Sequence, residues 1–174
     1  MKLGPWALLS TIRKRGVVVM FPTYLNGQWW TVAGSRFFRK AMNDVCQRYP
    51  IDKSRTVIAG CSNGATGAWA LSKANSQEFR GVVSISGAFD STEAMMATKG
   101  PPVYIVHGAR DTVIDVKFSR AAHKALARNR PGTVYKEYPD EGHLIFFTRG
   151  GEILAGAFEW IDGLFANPPG AKPE

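Results

Sequence analysis

The 174-residue sequence is short of most features that would fix its class at once. Two cysteines, Cys46 and Cys61, cannot make a disulfide scaffold in a chain of this size, so the fold must stand on a hydrophobic core, with both thiols read as free and buried. Three histidines, His107, His123 and His143, show no ligand spacing with cysteines or acids, which argues against a metal centre. No apolar run approaches the ~18 residues that a membrane-spanning helix requires. The start, MKLGPWALLSTIRKRG, lacks a small-residue cleavage site, and basic residues close its short apolar run. It reads as an amphipathic helix rather than a signal peptide, which makes the cytoplasm the default compartment unless the N-terminus is truncated. Acids are outnumbered by bases, 14 to 22, leaving a net charge of +8. The bases are scattered, however, and the tightest cluster, Arg13-Lys14-Arg15, sits where cations favour a helix C-terminus. No nucleic-acid-binding motif accompanies the charge, so nucleic acid is not an expected partner.

What is present suits one compact domain: 45% hydrophobic residues over a length able to bury a real core. Residues 1–165 are read as that domain and 166–174, rich in proline and glycine, as a flexible tail. Short apolar runs rich in β-branched residues mark buried strands at 17–21 (VVVMF, stopped by Pro22), 55–60, 81–86, 102–108 and 133–139. Between them lie helical patterns at 35–49, 65–75, around 93–97, and at 115–129, where Asp115 is a candidate cap, with a closing helix over 151–165. Strands alternating with helices predict a parallel sheet with helices on both faces, and ligands then collect outside the carboxyl ends of the strands.

Reading only those strand ends isolates the chemistry. Gly60-Cys61-Ser62-Asn63-Gly64 fits G-x-S-x-G, a pattern that exposes a nucleophilic serine where a buried strand turns into a helix. Ser62 is therefore a candidate nucleophile, with a helix N-cap as the plain alternative. His143, in the PDEGH loop, is a candidate base; otherwise it is a loop histidine bonded to backbone. Asp111, in HGARDTVI, is the preferred carboxylate to orient the imidazole, with Asp90 as a rival. Asp115 is better explained as a cap, and Asp140 lies too close to His143 in sequence. Cys61, one residue before the serine on an alternating strand, should point away from the site. His107, beside Gly108, is read as structural. Tyr24, Trp29 and Trp30 follow the first strand and either line an aromatic or acyl pocket or pack on the core.

On the stretches RGVVVMFPTYLNGQWW, IDKSRTVIAGCSNGATGAWAL, PVYIVHGARDTVIDV and YPDEGH, the chain resembles an α/β-hydrolase. Within that superfamily it is similar to esterases of the polyhydroxybutyrate-depolymerase, feruloyl-esterase and dienelactone-hydrolase-like branch. The resemblance implies Ser62 as nucleophile, Asp111 as acid, His143 as base and the backbone N–H of Asn63 as one oxyanion donor, acting on a small-molecule or polymer ester without cofactor or metal. It also implies a departure. The family carries additional N-terminal strands, one of which lies in the sheet between those at 17–21 and 56–60, and the loop after it supplies a second oxyanion N–H. The sequence leaves two possibilities: a piece of a longer product, or a sheet that closes up without that strand. A prolyl-oligopeptidase-like peptidase, and a hydrolase-fold binding protein with an incomplete oxyanion site, are the competing functions.

Overall fold

The computed structural model describes residues 12, 15–23, 28–89 and 99–166. Tyr24, Asp90, the helical pattern around 93–97, most of the N-terminal helix and the tail from 167 lie outside the described residues. Among the described residues, four α-helices and four strands follow in order: α1 (Val32–Arg48), β1 (Val57–Cys61), α2 (Asn63–Ala74), β2 (Gly81–Ile85), β3 (Val103–Gly108), α3 (Lys117–Asn129), β4 (Val134–Tyr138) and α4 (Ile145–Ala166). The strands form one parallel sheet in the order β1-β2-β3-β4, with Val57 opposite Gly81, Val82 opposite Val103 and Tyr104 opposite Val134.

The sequence dictates the layering. Because each strand is added on the same side of the last, right-handed crossovers put the connecting helices on one face. That face holds Ile58, Val82, Val103 and Ile105 against Phe38 of α1, Trp69 and Leu71 of α2, and Ala122 and Leu126 of α3. The alternate residues of the same strands, Val83, Ile85, Tyr104 and Val106, face the other way, onto Ile145, Ile153 and Ala157 of α4. Side chains on a strand alternate sides with period two, so one set of apolar runs fills both layers.

Two helix starts differ from the sequence reading by three residues or more. Helix α1 starts three residues early, at Val32, because the Thr31 hydroxyl accepts the Gly34 N–H at 3.1 Å and caps it. Helix α4 starts at Ile145 and runs through Gly150-Gly151, where the pattern suggests a break. Each glycine costs a helix about 1 kcal/mol relative to alanine. Burying Ile145 and Ile153 completely on either side of the pair offsets that cost.

The larger correction concerns residues 17–21, expected as a buried strand. They join no sheet, and Val17, Val18, Val19 and Phe21 are 42%, 48%, 40% and 73% exposed. Only Met20 packs against the core, from a partly buried position. A β-prone run needs a neighbour to exchange main-chain hydrogen bonds with, and the sheet does not close up to supply one. Along β1, Thr56 O accepts from Arg80 N and Ser62 N donates to Ile85 O, so the even-numbered residues bond β2. Val57, Ala59 and Cys61 turn their main-chain groups outward, and among the described residues no strand pairs with that edge.

Candidate active site

Ser62, Asp111 and His143 each follow a strand of the sheet, β1, β3 and β4 in turn. At the end of β1 the chain makes a tight turn into α2. Ser62 sits at its apex with φ 53° and ψ −122°, a left-handed conformation uncommon for a residue with a side chain. The turn is closed by Ser62 O accepting from Ala65 N (2.9 Å) and Thr66 N (3.2 Å). It is so tight that a Cβ on Gly60 would stand 2.1 Å from Gly64 O, which explains the first glycine of the motif. Strain of this kind persists where the surroundings over-determine it, and here strand pairing on one side and the helix on the other do so.

The Ser62 side chain does not cap α2. Its hydroxyl lies 2.8 Å from His143 Nε2 instead. His143 stands in the loop between β4 and α4. That loop crosses the end of β3 so closely that a Cβ on Gly108 would meet Glu141 O at 2.4 Å. Arg110 N donates to Glu141 O at 2.9 Å, and Glu141 in turn accepts from Arg149 Nε (2.6 Å) and Thr148 Oγ1 (2.7 Å) on α4. These bonds hold the Glu141 carboxyl below its ordinary pKa, Arg149 first and Thr148 second, so the clamp is ionised at neutral pH.

The other ring nitrogen, His143 Nδ1, is 2.8 Å from Asp111 Oδ2. The Asp111 side chain is fully enclosed. Its Oδ1 accepts the N–H groups of Val113 (2.8 Å) and Ile114 (2.9 Å), and its Oδ2 also faces His107 Nε2 at 3.1 Å. Burial pushes the Asp111 pKa up, but the Ile114 N–H, the His143 ring and the Val113 N–H outweigh it, so the carboxyl lies below its ordinary value. A carboxylate that stays charged beside Nδ1 requires a proton there, which leaves Nε2 free to accept the Ser62 proton.

The other candidates fall elsewhere. Asp140 is exposed and pairs with Arg110 at 2.7 Å, while Asp115 accepts the Lys117 N–H at 2.9 Å near the start of α3. Cys61 packs against the α4-side cluster, and burial followed by the Asp111 charge pushes its thiol pKa up, which disfavours the nucleophilic thiolate. Asn63 opens α2, where backbone N–H groups have no acceptor within the helix. Trp29 is half-buried, lies against Gly67 of α2, where a Cβ would meet its Cβ at 2.5 Å, and stacks near Phe37 with ring centroids 6.4 Å apart. Trp30 is 49% exposed. Sequence reasoning missed the contact between His107 and Asp111, although their i, i+4 spacing across a tight turn was the available signal. Among the described residues no cluster of His, Cys, Asp and Glu is grouped to hold a metal ion, and no helix is long and apolar enough to cross a membrane.

The profile of the Phospholipase/Carboxylesterase family matches residues 39–149, more than half of the chain. The chain belongs to that family. Its fold is that of the α/β-hydrolases, as comparison with solved structures shows. A thermostable esterase is 27% identical with a TM-score of 0.57 over 74% of this chain and 35% of that one. Esterase PE8 is 23% identical with a TM-score of 0.60 over 74% and 61%. A point variant of Arabidopsis thaliana SOBER1 is 18% identical with a TM-score of 0.61 over 77% and 64%. The chain thus spans between about a third and two thirds of the length of these three proteins. No curated protein sequence matches it.

Proposed function

We propose that the protein is a serine hydrolase that cleaves carboxylic esters through an acyl-enzyme. The observation that carries the reading is the unbroken run from Ser62 Oγ to His143 Nε2 (2.8 Å) and from His143 Nδ1 to Asp111 Oδ2 (2.8 Å). Family membership and the esterases among the structural neighbours support the ester as substrate class.

In the first half-reaction the Ser62 hydroxyl gives its proton to His143 Nε2 as its oxygen bonds the ester carbonyl carbon. The carbonyl oxygen becomes an oxyanion, and the donor to it in this reading is the N–H of Asn63, the first residue of α2. Asp111 holds the imidazole in the accepting tautomer and stabilises its charge without taking the proton. His143 then protonates the leaving alkoxide as the C–O bond breaks, leaving Ser62 acylated. In the second half-reaction water attacks the acyl carbon, His143 takes the water's proton, and the Ser62 oxygen leaves and recovers a proton from His143 as the acid departs.

The test is a fluorophosphonate probe followed by a short p-nitrophenyl ester. Labelling located at Ser62 by mass spectrometry, with loss of turnover in proportion to label, is the expected result. No labelling of a folded protein would overturn the reading. A single oxyanion donor lowers turnover by about 10² to 10³ relative to two. Rapid labelling with weak turnover would therefore support a site that has its nucleophile and base but only Asn63 as donor.

A further inference from the structure

The His107 ring is fully buried, at 0% exposure. It leaves β3 one residue before Gly108, on the face that carries α3, opposite Glu137 in the register of β4. Its Nε2 faces two acceptors, Asp111 Oδ2 at 3.1 Å and Ile114 O at 2.9 Å. Neither a carboxylate nor a backbone carbonyl can donate, so the Nε2 nitrogen carries a proton. Nδ1 is 2.6 Å from the hydroxyl of Ser119, a fully buried residue on the first turns of α3. In the neutral ring that hydroxyl donates to Nδ1, which fixes the tautomer from behind.

Resting on the proposed function, we infer that His107 is a positioning residue for the nucleophile, acting through Asp111, with Ser119 fixing its tautomer. The ring ties both ends of the turn that carries Asp111: it leaves the strand just before the turn and grips Ile114 just after it. The donor it supplies lands on the same oxygen that receives His143 Nδ1–H, whereas the backbone donors of Val113 and Ile114 land on the other. Without His107, Oδ2 is held by His143 alone, and the carboxylate is free to rotate about its Oδ1 bonds. An enclosed histidine serving only as filler would need neither a donor at Nε2 nor a buried hydroxyl at Nδ1.

The test tracks the second-order rate of Ser62 labelling by a fluorophosphonate and the downfield proton resonance of the His143 Nδ1–H bonded to Asp111, in His107→Leu, His107→Gln and Ser119→Ala. Folding of each is checked by circular dichroism and thermal unfolding. Leucine fills the space without a donor, whereas glutamine carries an amide N–H about as far along its side chain as Nε2. We expect His107→Leu to label about ten- to a hundredfold more slowly, the span of one charge-assisted hydrogen bond, and to lose the downfield resonance. His107→Gln should recover most of both, and Ser119→Ala should fall between. The inference is overturned if folded His107→Leu labels at the wild-type rate, or if His107→Gln is as slow as His107→Leu. Should His107→Leu fail to fold, the other two decide: wild-type behaviour in Ser119→Ala, or a slow His107→Gln, sinks it. Failure of the wild-type protein to label would instead refute the proposed function itself.

Discussion

Replacing Asp111 by asparagine keeps the shape of the side chain and removes one acceptor, and the cost can be worked out from its hydrogen bonds. The carboxylate receives two donors on each oxygen: Val113 and Ile114 N–H on Oδ1, His143 and His107 N–H on Oδ2. An amide has one oxygen, so its NH₂ must confront one of these pairs. Facing the backbone pair, it strands two donors that cannot change, at about 1–3 kcal/mol each. Facing the histidines, it strands no donor outright, because His143 can move its proton to Nε2 and accept at Nδ1, and His107 loses its bond to the carboxylate but keeps Ile114 O at 2.9 Å. The second arrangement therefore wins, costing about 1–3 kcal/mol of stability. Catalysis fails for the same reason, since Nε2 now carries a proton toward Ser62. In a serine-protease triad the same exchange costs about 10⁴ in turnover, and a loss of that order is expected here. The assay is kcat for a p-nitrophenyl ester alongside urea unfolding at several pH values. Asp111 has a folded-state pKa below its ordinary 3.8, so its stabilising effect is present above that value and lost as pH falls through the lower one. Asparagine does not titrate. The stability gap between the two proteins should thus be widest near neutrality and narrow below pH 3.8. A folded Asp111→Asn protein with turnover within tenfold of wild type, or a gap unchanged down to pH 2, would refute the reasoning.

Ser62→Ala should remove esterase turnover by about 10⁶, while Cys61→Ala, which trims a packed thiol, keeps most of it; the reverse pattern in the same p-nitrophenyl assay would shift the nucleophile to Cys61. Gly60→Ala drives a Cβ to 2.1 Å from the Gly64 carbonyl, so chemical denaturation should show a loss at or beyond the ~3 kcal/mol top of the usual overpacking range, and a loss under 1 kcal/mol would mean the turn can open. The edge of β1, unpaired among the described residues, and the exposed run at 17–21 predict self-association that rises with concentration. Val18→Lys with Phe21→Lys should reduce it in sedimentation velocity without slowing Ser62 labelling, and association unchanged by the two lysines would place the contact elsewhere.

Local chemistry in the sequence was enough for much of this protein. Short continuous apolar runs rich in β-branched residues, with helical spacing between them, located the strands of the sheet, two of which, β2 and β3, are buried along their whole length. The glycines at 60 and 64 fitted a turn from strand into helix, and of the two it is Gly60 whose missing Cβ the turn requires. The positions of Ser62, Asp111 and His143 after β1, β3 and β4 put all three at one end of a parallel sheet, since such strands all point the same way. What the sequence left open were the contacts between distant residues. Whether 17–21 becomes a strand depends on a neighbour, not on its own propensity, and tertiary structure left it unpaired and exposed. The course of the loop carrying His143 was set by the close pass that Gly108 permits to Glu141, 33 residues on, where a Cβ would stand 2.4 Å from the Glu141 carbonyl oxygen. His107 was legible as a buried structural histidine, but its hold on Asp111 and its own hold by Ser119 exist only once β3, the turn after it and α3 are packed together. Propensity and pattern act within one element; the donors and acceptors of a buried charge are chosen by which elements meet around it.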